Sequence, residues 1–184
     1  MTKIFSVRGR RVWDSRARPT VEAEVTLEGG IAGRAIAPAG ASMGSGEAAD
    51  LRDGGKPFEG MDVRGAVASV DGPIARALVG RDALDQAGID RLLVELDGTK
   101  QKKRLGGNAV IATSMAVLHA AAAATRAPLW AHLAQGRPVR IPLPEIQIFG
   151  GGAHAGRRVD VQDFMVIATG AQTFAEALDW TAEV

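Results

Sequence analysis

Residues 150–165 read GGGAHAGRRVDVQDFM, placing an imidazole, two guanidiniums, two carboxylates and a carboxamide within one glycine-rich loop and the strand-like run after it. His154 lies beside three glycines rather than on an apolar helical face, so its ring is open to a ligand. His119, on an alanine-rich helical pattern, and His132, before Leu133, read as packing or surface residues. If VDVQDFM is a strand, Asp160, Gln162 and Phe164 share one face, and Asp163 shares the other with Val161 and Met165. Only one of Gln162 and Asp163 then points into a site, unless the strand ends there. A carboxylate on an apolar face is costly to bury without a partner or a chemical task, which singles out Asp163.

A second constellation is PAGASMGSGEA, from Pro38 to Ala48. It has neither the lysine of a phosphate-binding P-loop nor the spacing of a dinucleotide fingerprint. One reading is a plain flexible connection between a strand and a helix. The other is a mobile lid: Gly40, Gly44 and Gly46 can change backbone angles, and the hydroxyl and carbonyl of Ser42 are hard oxygen donors suited to Mg²⁺.

The elements that would position these residues follow from patterning. In PTVEAEVTLEGG, Val21, Ala23, Val25 and Leu27 alternate with Glu22, Glu24, Thr26 and Glu28, the signature of a half-exposed strand. With KIFSVRGRRVWDS before it and IAGRAIAPAG after it, the first forty residues predict a three-stranded antiparallel meander. From Asp62 the period becomes helical, with Val63, Val67, Val70, Ile74 and Leu78 in step and Gly72-Pro73 as a break or kink. Asp85 can cap the next helix, whose buried face is Ile89, Leu92, Leu93 and Leu96, and Gly98 stops it. After the basic loop TKQKKRLGG, Asn108 opens a long alanine-rich helix suited to close packing, and PLWAHLAQ is a short helix ending at Gly136. Pro138 and Pro142 mark a boundary. Beyond it, PEIQIFGGG and VDVQDFMVIATG predict two strands, and TFAEALDWTAEV a helix capped by Thr173.

Composition narrows the function. The 184 residues carry 22 basic and 21 acidic side chains, interspersed, so no basic stripe points to nucleic acid. With no cysteine, thiolate catalysis, disulfides and thiolate-bound zinc are excluded, and any metal must sit on oxygen or histidine. The N-terminus lacks an apolar signal core and no run approaches bilayer-spanning length, so the expectation is a cytoplasmic protein with neither membrane nor nucleic-acid partners.

Several stretches together resemble the enolase family. DSRARPTVEAEV is similar to its opening DSRGNPTVEVEV-type segment, PAGASMGSGEAADLRDGG to its GAST-G-x-x-EA-x-ELRDG loop, and HAGRRVDVQDFMVIATGA to its HA-x-N-x-x-D-x-QEFMI-x-P-x-GA stretch. VDGPIA, the DQAGID and LDGT pair, and LGGNAVIATSMA extend the resemblance along nearly the whole chain. It implies an α+β cap, residues 1–138, with a three-stranded meander and helices, followed over 139–184 by the first elements of an incomplete α/β barrel. A complete barrel takes about 200–250 residues. The family's carboxylate metal ligands and its lysine base fall outside the 184 residues, which implies that this chain alone is inactive.

The implied reaction of the complete protein is the reversible Mg²⁺-dependent dehydration of 2-phosphoglycerate to phosphoenolpyruvate, with at least a dimer as the assembly. Enolase chemistry depends on metal ions that stabilise the dianionic intermediate, and the superfamily is a standard example of such a site. By resemblance, Ser42 binds Mg²⁺ as its loop closes, Ala41 lies beside the substrate, and His154 contacts the substrate. Gln162 orients the carboxylate or its ligands, and Asp163 stands where the family has the glutamate that helps the hydroxyl leave. Aspartate is one methylene shorter. Other departures lie close by: Gln147 and Gly150 each replace an asparagine, Ala153 replaces a polar residue, and Arg157 and Arg158 replace small polar ones. Further away, Met43 replaces threonine and Ala17-Arg18 replaces Gly-Asn. Two alternatives follow. One is a phosphonate substrate, as handled by carboxyphosphonoenolpyruvate synthase, an enolase relative, with Arg157 or Arg158 meeting an additional anion. The other is a non-catalytic binding or assembly module derived from the cap.

Overall fold

The computed structural model describes residues 1–40 and 44–184. The described residues form two compact units, one built from Met1–Gly40 and Gly44–Gly136, the other from Arg137–Val184.

The first unit starts with strands β1 (Ile4–Trp13), β2 (Pro19–Leu27) and β3 (Ala32–Ala37), paired antiparallel in sequence order. The alternation read in β2 is realised: Val21, Ala23, Val25 and Leu27 are all essentially inaccessible, while Glu22 and Glu24 turn outward and hold Arg10 of β1 at 2.8 and 2.6 Å. In the β1–β2 turn, Asp14 Oδ1 accepts from the amides of Arg16 and Arg18, both at 2.9 Å. This turn holds Ala17 at a left-handed φ of 56°.

The inner face of the sheet is covered by α4 (Gly107–Ala124) and by a segmented helix. The segmented helix consists of α1 (Arg64–Ser69), one widened π turn (Val70–Ile74) and α2 (Ala75–Leu78). Pro73 has no amide to donate, and the wider turn absorbs it without ending the helix. The same turn brings Asp71 to β1, where Oδ1 accepts from the Gly9 amide at 2.7 Å. Gly72-Pro73 is therefore a local bulge in a helix that continues.

α4 is apolar on nearly every side, with eleven buried residues and a run of alanines against the sheet. At 18 residues and a mean hydropathy of 1.4, it reaches membrane-spanning length, contrary to the sequence reading; 61% of it is buried, as a core helix of this unit. Small residues permit the close approach. A Cβ at Gly33 of β3 would lie 2.2 Å from the Ala120 backbone nitrogen, so only glycine fits there. Between the two long elements, α3 (Gln86–Asp97) is capped by Asp85, whose side chain accepts from the Gly88 amide, and closes at Gly98 with φ 70°. The short α5 (Leu129–Ala134) closes through left-handed Gln135 and Gly136.

The second unit holds β4 (Glu145–Gly150), a 3-10 turn (Gly152–Ala155), β5 (Asp163–Ile167) and α6 (Phe174–Glu183). Thr173 accepts from the Glu176 amide at 3.1 Å, and Glu176 reaches back to the Gln172 amide at 2.6 Å, forming a reciprocal cap. β4 and β5 pair antiparallel. Many of this unit's large apolar side chains stand exposed, among them Ile141, Phe149, Met165 and Trp180.

Candidate active site

Strand β5 is shorter than VDVQDFM suggests, and this changes the site. The ladder begins at Asp163, opposite Gly150, so Gln162 lies just outside the strand. The loop between the strands is closed by backbone hydrogen bonds from Gly151 to the Gln162 carbonyl (2.6 Å) and from Gly152 to the Val159 carbonyl (2.8 Å). Gly151 is required at this crossing, because a Cβ there would sit 1.9 Å from the Val161 carbonyl oxygen. Freed from strict alternation, the Gln162 carboxamide turns towards Asp163, with Nε2 3.4 Å from Oδ2. Gln162 and Asp163 are thus brought together, which the alternation allowed only if the strand ended there.

β4 has an irregularity between Gln147 and Phe149 that inserts one residue, Ile148, into the ladder. The insertion shifts the pleat by one position and sets Gln147 and Gly150 on the same face as Asp163. Gln147 donates from Nε2 to Asp163 Oδ1 at 2.5 Å. Phe149 and Phe164 pair on the opposite face, with ring centroids 5.3 Å apart. Gln147, Ile148, Phe149, Gly150 and Asp163 line an open cavity of about 300 Å³. Asp163 is exposed in this structure, so its carboxylate carries no burial cost, and two carboxamides converge on it.

Arg157 and Arg158 are exposed on the intervening loop, Arg157 with φ 61°, and neither lines that cavity. Ala41 and Ser42 lie outside the described residues, as does the side chain of His154. The segment after Ser42 is tied to the first unit. Glu47 Oε1 accepts from the Gly44 amide (2.7 Å), Gln101 Nε2 donates to the Ser45 and Glu47 carbonyls (3.0 and 3.2 Å), and Gly107 donates to the Ala49 carbonyl (2.7 Å). A larger cavity of about 520 Å³ in the first unit holds none of these residues. Two of its carboxylates are engaged internally, Asp85 at the α3 cap and Asp82 on the Leu84 amide.

Among the described residues, no group of three or more histidine, aspartate or glutamate side chains gathers to hold a metal ion.

Two family models match this chain: the enolase N-terminal domain over residues 4–133, and the enolase C-terminal TIM barrel domain over residues 138–184. The chain belongs to the enolase family. The three-stranded meander with its helices is the enolase N-terminal cap, and the match to the barrel domain covers only the start of that barrel. Enolases are a lyase-type family and generally use Mg²⁺. Gln147 is the site residue that sequence reasoning noted only as a departure and gave no role. The β4 irregularity that turns it towards Asp163 has no signature in a run as short as EIQIFG.

Proposed function

We propose that the complete enzyme, of which these residues form the N-terminal portion, dehydrates 2-phosphoglycerate to phosphoenolpyruvate. In that reaction the substrate loses its C2 proton to a base and its C3 hydroxyl as water. The observation that carries the reading is the convergence of Gln147 and Gln162 on Asp163, with Gln147 and Asp163 lining the open cavity, in a chain whose family is enolase. In this reading Asp163 assists departure of the hydroxyl, and the two carboxamides fix where its oxygens stand. Gln162 also orients the acid group of the substrate, His154 contacts the substrate from its loop, and Ala41 and Ser42 belong to the segment that closes over it.

Mg²⁺ as cofactor, with Ser42 as one oxygen donor, belongs to the same proposal, as do a cytoplasmic location and at least a homodimer. The exposed apolar side chains of the second unit support a larger barrel around them. The test is enol-phosphate absorbance from 2-phosphoglycerate and Mg²⁺, with and without EDTA, using the complete protein. Metal-dependent turnover is the expected result. A folded complete protein with no turnover overturns the reading in favour of a phosphonate analogue, with Arg157 or Arg158 on its extra anion, or of a non-catalytic assembly role.

A further inference from the structure

We infer that Gln147 is a positioning residue for Asp163, and that Gly150 is small in order to leave room for it. The inference rests on the dehydration reading for its kinetic consequence, but its geometry stands on the β4–β5 pair alone. Gln147 lies opposite Met165, two residues along β5 from Asp163, so the two side chains must reach diagonally across the ladder. Such diagonal neighbours have Cα atoms about 7–8 Å apart, a span that short side chains do not close. Asp163 extends only one methylene from its backbone. The longer glutamine closes the gap, its Nε2 donating to Oδ1 at 2.5 Å while Gln162 Nε2 approaches Oδ2.

The residue opposite Asp163 decides whether Gln147 can lie there. Because Ile148 is the extra residue in the ladder, position 150 falls on the same face as position 147. A Cβ at Gly150 would stand 3.1 Å from Gln147 Nε2, close enough to force the carboxamide aside by a few tenths of an ångström. Three of the departures from the family pattern thereby become one arrangement. The carboxylate at 163 is one methylene shorter, the amide at 147 is one methylene longer, and the side chain at 150 is removed. Each methylene contributes about 1.5 Å of bond length, so the two changes of length offset each other across the gap.

The test is a double-mutant cycle in the complete protein with Gln147→Asn, Asp163→Glu and the pair together, read by kinetics and by the thermal midpoint of unfolding. Each single variant is expected to lose about 10- to 100-fold in kcat with KM changed less than about threefold, since an ångström of misplacement costs up to about a hundredfold. The double variant, which keeps the summed side-chain length, is expected within about fivefold of the parent. Gly150→Ala, which needs no change of backbone conformation, is expected to lower kcat by about 3- to 10-fold, with KM again unmoved. A double variant whose loss equals the product of the single losses overturns the inference, as does a gain in kcat from Asp163→Glu alone. A parent with no turnover overturns the dehydration reading instead. The thermal cycle needs no substrate and then decides the Gln147–Asp163 pair by itself, with additive midpoints overturning it and a recovered midpoint in the double variant supporting it.

Discussion

Asn108 and Leu51 exchange two hydrogen bonds across 57 positions of sequence: Asn108 Oδ1 accepts from the Leu51 amide at 3.1 Å, and its Nδ2 donates to the Leu51 carbonyl at 3.2 Å. The carboxamide thus stands in for a strand, pairing with the backbone of the segment that runs on from the proposed lid. Asn108 is 1% exposed and Leu51 half-buried, so the carboxamide itself has no water as a substitute partner. Asn108→Ala takes this partner from the amide and carbonyl of half-buried Leu51, at a cost of about 1–3 kcal/mol in total. The expected result is a lower unfolding midpoint together with faster amide hydrogen exchange at Leu51. Unchanged exchange at Leu51 would show that the segment is held elsewhere.

Ala17 occupies a left-handed conformation, φ 56°, that a side chain disfavours by about 1–2 kcal/mol. Glycine would remove that strain but add freedom to the unfolded chain, costing about 0.5–1 kcal/mol. The strain is the larger of the two. Ala17→Gly is therefore expected to stabilise by about 0.5–1 kcal/mol, raising the midpoint by about 1–4 °C, as differential scanning calorimetry would measure. A lowered midpoint would mean that the alanine methyl makes a contact worth more than the strain.

Acid sensitivity follows from Asp97 and Asp62. Burial by itself would raise the Asp97 carboxyl, but hydrogen bonds from the Thr99 hydroxyl and from the Leu105 and Thr99 amides outweigh it and hold the group below its ordinary value. At Asp62, burial is likewise outweighed by the Arg11 guanidinium and the Val63 amide. A carboxyl lowered in the folded state binds fewer protons there than in the unfolded chain. Its stabilisation is complete above the unfolded value of about 3.9 and is lost as pH falls through the folded values. Thermal midpoints should therefore be level between about pH 7 and pH 5 with respect to these groups and drop below about pH 4. Asp97→Asn should cost about 1–3 kcal/mol at neutral pH and flatten the acid limb. An acid limb as steep as that of the parent would exclude Asp97 as its source.

The cap was legible because its signals are local and repeated. Alternation in β2, the Asp85 cap and the Gly98 stop each depend on neighbours within a few residues, and each is realised, as is the equally local Thr173 cap in the second unit. The second unit was less legible where one residue changes the phase of everything after it. Alternation through VDVQDFM assigns Gln162 and Asp163 to opposite faces, and a strand that starts at Asp163 removes that constraint. Ile148 has the same effect in β4, and nothing in its type marks it as the inserted residue. The π turn at Val70–Ile74 is intermediate: Gly72-Pro73 marks the place of an irregularity, but whether the helix breaks or widens is decided by the packing of Val70 and Ile74 in the core.

Gly151 links the loop geometry to the proposed chemistry. Its amide holds the Gln162 carbonyl at 2.6 Å, and its missing side chain lets the Val161 carbonyl pass, where a Cβ would approach to 1.9 Å. Gly151→Ala must therefore separate the two sides of the loop. Because the obstructing atom is backbone, the separation cannot be relieved by rotating a side chain. The displaced segment is the one that delivers Gln162 to Asp163, while Gln147 approaches the same carboxylate from β4 and stays in place. Loss of one of two supports predicts a fall in kcat of about a hundredfold for a displacement near 1 Å, together with a lower thermal midpoint. Gly156→Ala is the control, since its Cβ would meet nothing within 4 Å and its φ of 60° brings only local strain. A loss of midpoint with little change in kcat should follow there. Equal kinetic losses from the two variants would mean that the loop acts through its overall order and that the Gly151 crossing has no special part in placing Gln162.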